Sequence, residues 1–243
     1  DLFEPTHGDY IGRVEKVELS RIKEFKGHPF KVKDDEEMDR LVESIKENGI
    51  LNPIILRDKG DKTFEIVSGH RRKRAAELAD MDTIPSIVRN LTDEEASFYE
   101  PLGCCVRAVK RASLRESSTV LVIGLGSIGI IMAQALKAYG MNVIGCDLIL
   151  SRVQILRNLG IEAFTLNEMC ESIKADAVFM TSGSDKAIET ALKFVRDGGK
   201  ILVFSSTPQN FGYANNEIYY RELTVLGSYS PSPKDLKDSL ELL

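Results

Sequence analysis

Histidine and cysteine are scarce in this chain of 243 residues, with three of the first and four of the second. Cys104, Cys105, Cys146 and Cys170 show no C-x-x-C spacing, and the adjacent pair is poorly placed to bridge to itself. A reduced, cytoplasmic protein is the simplest expectation. The three histidines, His7, His28 and His70, all fall early in the chain and none stands in a G-H-E context. No metal site and no catalytic residue is therefore expected. Long apolar runs are also lacking, since the longest is broken by the glycines of 124–129, and a membrane helix needs about 20 apolar residues. The amino terminus, DLFEPTHGDY, is acidic and has no apolar signal core. It does not begin with methionine, so a fragment or a processed chain is expected. Excess positive charge is missing too. The net charge is −5, with 17 basic against 22 acidic residues in 1–96 and 15 against 15 in 97–243. That balance disfavours a whole chain whose affinity comes from neutralising nucleic-acid phosphates.

What is present divides near residue 96, and two domains are expected, 1–96 and 97–243. No Gly/Ser/Pro-rich linker separates them, so a helix from about 94 is expected to run directly out of the first. In the first, RVEKVELSRIKEF alternates loosely as a strand entering a turn. DDEEMDRLVESIKENG reads as a helix capped by Asp34 and Asp35, with Met38, Leu41, Val42 and Ile45 on one face and a stop at Gly49. PIILR and TFEIVSG flank DKGD as a hairpin, a second helix starts near His70, and 83–90 supplies another strand. The expected domain is small and α+β.

Arg71, Arg72, Lys73 and Arg74 crowd the first turn of that second helix. Cations there oppose the helix dipole by about 0.3–1 kcal/mol each. Either an anion sits at the helix start, with Gly69 letting its backbone come close, or nearby acids pair with a solvated basic face. HPFKVKDDEEM, GILNPIILR and EIVSGHRRKRAAELA together resemble the amino-terminal domain of ParB-type partition proteins over roughly residues 14–96. The resemblance implies that Gly69, His70, Arg71 and Arg72 contact nucleotide phosphates, with CTP as the implied ligand, and that Gly49 to Pro53 line the base. Past LTDEEA the chain departs from that family, with no E-N-x-x-R motif and no helix-turn-helix. Specific DNA binding is therefore not expected.

Residues 97–243 alternate strand and helix. Strands are expected at 119–123, 142–147, 161–165, 176–181, 200–204 and 223–227, with helical or loop stretches near 127–139, 151–159, 168–173 and 185–195. Six strands in this order make a doubly wound Rossmann sheet, so the chain as a whole is α/β, with the α+β domain first. VLVIGLGSIG supplies a strand and a glycine-rich turn: Gly124 for the tight turn, Gly126 for close approach of a pyrophosphate, and Gly129 for helix–strand packing, with Ser127 and Ile128 opening the helix. Asp147 closes the next strand and would accept hydrogen bonds from the adenosine ribose. A 2′-phosphate beside it would be disfavoured by about 4 kcal/mol per charge pair at 4 Å and an effective dielectric of 20, so NAD is expected over NADP. Arg152 either flanks the adenine or is a surface arginine.

EEASFYEPLGCCVRAVKRA, GLGSIG, TSGSDKAIETAL, VRDGGKILVF and IYYRELTVLGSYSPSPKDL fall in the order found in zinc-type medium-chain alcohol dehydrogenases, and residues 92–243 resemble the coenzyme domain of their sorbitol and threonine dehydrogenase branch. The resemblance places Ser182 and Gly183 along the cofactor, Glu100 beside a zinc, and a homodimer contact on the last strand. Ser205 stands where that family usually has glycine. The family's zinc ligands lie outside the matching region, so no zinc is expected in this chain. Three readings follow: a dehydrogenase-derived NAD-binding module fused to a ParB-like domain, a partition or regulatory factor that senses NAD, or a chimera joined at TDEEA, which suits both families.

Overall fold

The computed structural model describes residues 14–24, 32–206 and 215–243. The chain divides into two compact units, Asp1–Phe98 and Tyr99–Leu243. Helix α3 spans Asp93–Ala112.

The first unit carries a five-stranded sheet built from β1 (Val14–Glu18), β2 (Ile22–Lys23), β3 (Ile54–Asp58), β4 (Phe64–Ser68) and β5 (Thr83–Arg89), in the order β1-β5-β3-β4-β2. β3 and β4 form the expected antiparallel hairpin. Its turn is shaped by aspartates: Asp58 accepts from the Gly60 amide at 2.8 Å and Asp61 from the Thr63 amide at 3.0 Å, the local bonding for which these side chains favour turns. Helix α1 (Glu36–Asn48) buries Met38 and Ile45 against Ala75 of α2 (His70–Leu78), with Leu41 and Val42 partly covered beside them. Only Asp35 caps α1, accepting from the Met38 amide at 3.0 Å. Asp34, expected to share that role, lies one residue too far out and turns to Arg74 instead. On the sheet, the cross-strand neighbours Arg57 and Glu65 form an almost fully buried ion pair.

The second unit contains a wholly parallel six-stranded sheet. Its strands are β6 (Thr119–Ile123), β7 (Asn142–Asp147), β8 (Glu162–Thr165), β9 (Ala175–Met180), β10 (Val195–Val203) and β11 (Thr224–Gly227), in the order β11-β10-β9-β6-β7-β8. Helices α4 (Ser127–Ala138), α5 (Leu150–Asn158) and α6 (Asp185–Phe194) follow β6, β7 and β9. The central strands are apolar on both faces, as a sheet covered on both sides requires. Val120 and Val122 join one core cluster, and Leu121 and Ile123 the other. β10 begins earlier than its apolar run, because Val195 pairs with Ala175 before a register break that lasts to Lys200. The stretch 168–173 forms turns. Two further helices, α7 (Asn215–Tyr220) and α8 (Pro233–Leu240), precede and follow β11. α8 lies against α3 so closely that a Cβ on Gly103 would come within 2.6 Å of Leu236 Cδ2. Asp235 of α8 receives Lys110 at 3.1 Å and Arg107 at 3.3 Å. No helix among the described residues is long and apolar enough to cross a membrane.

Candidate functional site

Strand order in the parallel sheet runs outward in both directions from β6, so the chain leaves β6 and β9 on opposite sides and opens a crevice at their carboxyl ends. The glycine turn sits there. Gly124 has φ 95°, a conformation costly for any residue with a Cβ. A Cβ on Gly129 would lie 1.8 Å from the Gly124 carbonyl oxygen, so only glycine lets α4 pass the strand end this closely. A Cβ on Gly126 would meet nothing within 4 Å. That open side lies at the start of α4, whose first turn, Ser127 and Ile128 included, has amides that no side chain caps.

Asp147 ends β7 and is only 7% exposed. One oxygen accepts from the Leu125 amide at 2.6 Å, inside the glycine turn, and the other from the Ile149 amide at 2.8 Å. The Arg152 guanidinium stands 3.5 Å away. The carboxylate thus braces both turns that form the crevice walls, a duty that its position in the sequence did not reveal. Thr181 lies within hydrogen-bond distance of the Ile123 and Gly124 carbonyls, 3.1 and 2.5 Å, tying the end of β9 to the same turn.

Together these elements enclose a cavity of about 290 Å³. Of the residues expected from the sequence, Gly124, Gly126, Asp147, Arg152 and Ser182 line it. Ser127, Ile128 and Gly129, on α4, are not among its lining, nor is Gly183, which is pressed against Ser206. The cavity also takes in Leu148, Ile149, Thr181 and Lys186, which the sequence reading passed over. The S-D-K run following Gly183 was the available signal, since Ser184 caps α6 by accepting from the Ala187 amide at 3.2 Å and so sets Lys186 in its first turn. Burial and the neighbouring Asp147 push the Cys146 thiol up to about 11. Cys105 is a fully buried core residue, and burial raises Cys104 to about 11. Among the described residues no three His, Cys, Asp or Glu side chains group as a metal site, and Glu100 lies exposed on α3.

In the first unit three of the four cations at the start of α2, Arg71, Lys73 and Arg74, meet acids. Arg74 grips Asp34 through two bonds, 2.6 and 3.1 Å, and the arginine holds that carboxyl below its usual range. Arg71 lies 3.3 Å from Asp35 and 3.4 Å from Glu37. Lys73 is buried against Glu77. The acidic start of α1 therefore answers the dipole conflict within the chain. Gly69 has φ 101°, and a Cβ there would lie 2.6 Å from Ile54 Cγ2, so its need for glycine comes from backbone conformation and packing. His70 opens α2, partly buried. Arg72 donates to the Asn52 and Pro53 carbonyls at 2.8 and 2.9 Å, which joins the GHRR segment to Gly49–Pro53.

Comparison with known proteins matches each unit to a different family. Residues 6–100 match the ParB N-terminal domain, and residues 127–243 match the zinc-binding dehydrogenases. Stage 0 sporulation protein J of Bacillus subtilis is 44% identical over 80 residues, which are 33% of this chain and 28% of that protein. Sorbitol dehydrogenase of Halalkalibacterium halodurans is 26% identical over 181 residues, 68% of this chain and 52% of that enzyme. A zinc-binding dehydrogenase of Sinorhizobium meliloti, solved with NADP bound, superposes with a TM-score of 0.55 at 23% identity over 61% of this chain and 47% of that one. The chain spans about half the length of the dehydrogenases it matches and between 28% and 43% of the partition proteins. It is a fusion, in one polypeptide, of a domain similar to the amino-terminal domain of ParB partition proteins with one similar to the coenzyme domain of zinc-type dehydrogenases.

Proposed function

We propose that residues 99–243 are an NAD-binding module. The reading is carried by one juxtaposition: a nearly buried carboxylate, Asp147, and the open side of the glycine turn it is bonded to line the same cavity. Asp147 would hold the adenosine ribose, the start of α4 the pyrophosphate, and Arg152 the adenine flank. NADP, the cofactor bound in the Sinorhizobium structure, would bring its 2′-phosphate against Asp147, and NAD is the preferred ligand on that ground. When bound, NAD supplies a hydride acceptor. The chain's own part is to bind and orient it. Alcohol oxidation by this chain is not expected, because hydride transfer in the resembling family uses a zinc-polarised oxygen and the implied ligand set has no counterpart in the sequence. β11, an edge strand flanked by exposed Tyr229, would pair with a second copy to make a homodimer.

For the first unit we infer a nucleotide triphosphate site at Gly69, His70, Arg71 and Arg72, with CTP as its ligand. The support is the Arg72 clamp on the Asn52 and Pro53 carbonyls, which brings the two implied segments together. Calorimetry of the full chain with NADH, NADPH, CTP and ATP tests both sites at once. Binding of NADH well above NADPH, and of CTP above ATP, is the expected pattern. Equal NADH and NADPH affinity would end the Asp147 assignment, and no heat with CTP would end the second.

A further inference from the structure

The cations that open α2 are not held alike. Lys73 is buried against Glu77, and Arg72 donates to the Asn52 and Pro53 carbonyls. Arg74 grips Asp34 through two bonds. Arg71 differs from all three. Its contacts are longer, 3.3 Å to Asp35 and 3.4 Å to Glu37, and its side chain is 43% exposed. Exposed ion pairs of this kind are weak, because water screens them and two long side chains lose freedom in making them. They exchange readily for a ligand of higher charge.

The acidic side of the pair is arranged so that the exchange does not unravel α1. Asp35 Oδ1, the oxygen nearest Arg71, also accepts from the Met38 amide at 3.0 Å. That cap stays when Arg71 leaves. Glu37 is neither the cap nor one of the buried residues of α1. Asp34, bonded to Arg74, meanwhile keeps the segment beside the start of α2.

We propose that Asp35 and Glu37 are an internal competitor for the phosphates of the first unit, occupying Arg71 until a triphosphate displaces them. This rests on the reading of Gly69, His70, Arg71 and Arg72 as a triphosphate site and adds its regulation: the chain's own carboxylates hold the affinity down, and Asp34 returns them to Arg71 when the ligand leaves.

The test is calorimetry of the full chain with CTP. Asp35→Asn, which preserves a capping side chain, and Glu37→Gln should each raise CTP affinity about two- to fivefold. Glu36→Gln removes the same charge from the same turn, but Glu36 faces Arg40, and it should change nothing. In an Arg71→Ala background the gain from Glu37→Gln should vanish, because the competition acts through that arginine. No gain in either variant, an equal gain in Glu36→Gln, or a gain that persists without Arg71 would overturn the competitor while leaving the site intact. Absence of CTP binding in the wild type and in every variant would remove the site and the competitor together.

Discussion

Replacing Asp147 perturbs two things that different assays separate. The carboxylate accepts from two backbone amides, Leu125 at 2.6 Å and Ile149 at 2.8 Å, and is 7% exposed. Hydrogen bonds to a charged group contribute about 1.5–3 kcal/mol each, and a buried donor left unpaired costs about 1–3 kcal/mol. Asp147→Ala strands both amides, and water can reach one of them through the cavity. A loss of about 2–5 kcal/mol in unfolding free energy is expected, read by urea denaturation with far-ultraviolet circular dichroism. Asp147→Asn keeps one acceptor and the side-chain volume, so about half that loss is expected. The ligand effect differs in kind. If the carboxylate both holds the ribose and repels a 2′-phosphate, Asp147→Asn lowers NADH affinity about tenfold and raises NADPH affinity relative to it. The Coulombic bound is ~4 kcal/mol at 4 Å. Arg152, 3.5 Å from the carboxylate, offsets part of it, so a selectivity change of about 10- to 100-fold is expected in fluorescence titrations. A brace without ligand contact would weaken NADH and NADPH equally, and that result refutes the assignment.

Four other outcomes are expected. Gly129→Ala, whose Cβ would stand 1.8 Å from a backbone oxygen, should destabilise the second unit by about 3 kcal/mol or more and abolish nucleotide binding, measured by melting and calorimetry together. At Asp235 burial opposes ionisation, but bonds from Ser232, Lys110 and Arg107 outweigh it and hold the carboxyl below 3.8. Its contribution to the contact between α8 and α3 is therefore present above pH 3.8 and lost as pH falls below it, and Asp235→Asn should flatten the acid limb of a stability–pH profile. Arg71→Ala should weaken CTP binding about tenfold, and an unchanged calorimetric isotherm would remove it from the site. Light scattering at tens of micromolar should give a dimer mass, reduced to monomer by a lysine at Val225 on the edge strand.

The alternation of strands and helices after residue 118 was legible because each strand of the parallel sheet is a short apolar run set off by a turn. Its glycine turn was legible because φ 95° at Gly124 and the contact at Gly129 exclude other residues, so the constraint is written in residue type. Start and end points were less so. β10 starts at Val195 because that residue pairs with Ala175 ahead of a register break across the polar, glycine-containing stretch before Lys200, a tertiary choice with no local signal. The hydrogen bond that Asp147 accepts from Leu125 was hidden for a similar reason, since a partner 22 residues away is fixed by the sheet and not by spacing. At α2 the basic cluster invited an external anion. The acids that answer it, Asp34, Asp35 and Glu37, lie just before and within the first turn of another helix, whose approach no periodicity reveals.

The tie between Thr181 and the Gly124 carbonyl joins residues 57 apart. β6, β7 and β8 can assemble from near neighbours in the chain, whereas β9 must close a long loop before it meets β6. The crevice lies on that seam between β6 and β9. Until the two sheet halves meet, no cavity exists, so the capacity to bind nucleotide would be acquired late in folding and at once. Ligand added during refolding should then leave the early phase untouched and slow only the reverse reaction, making bound nucleotide a clock for completion of the sheet.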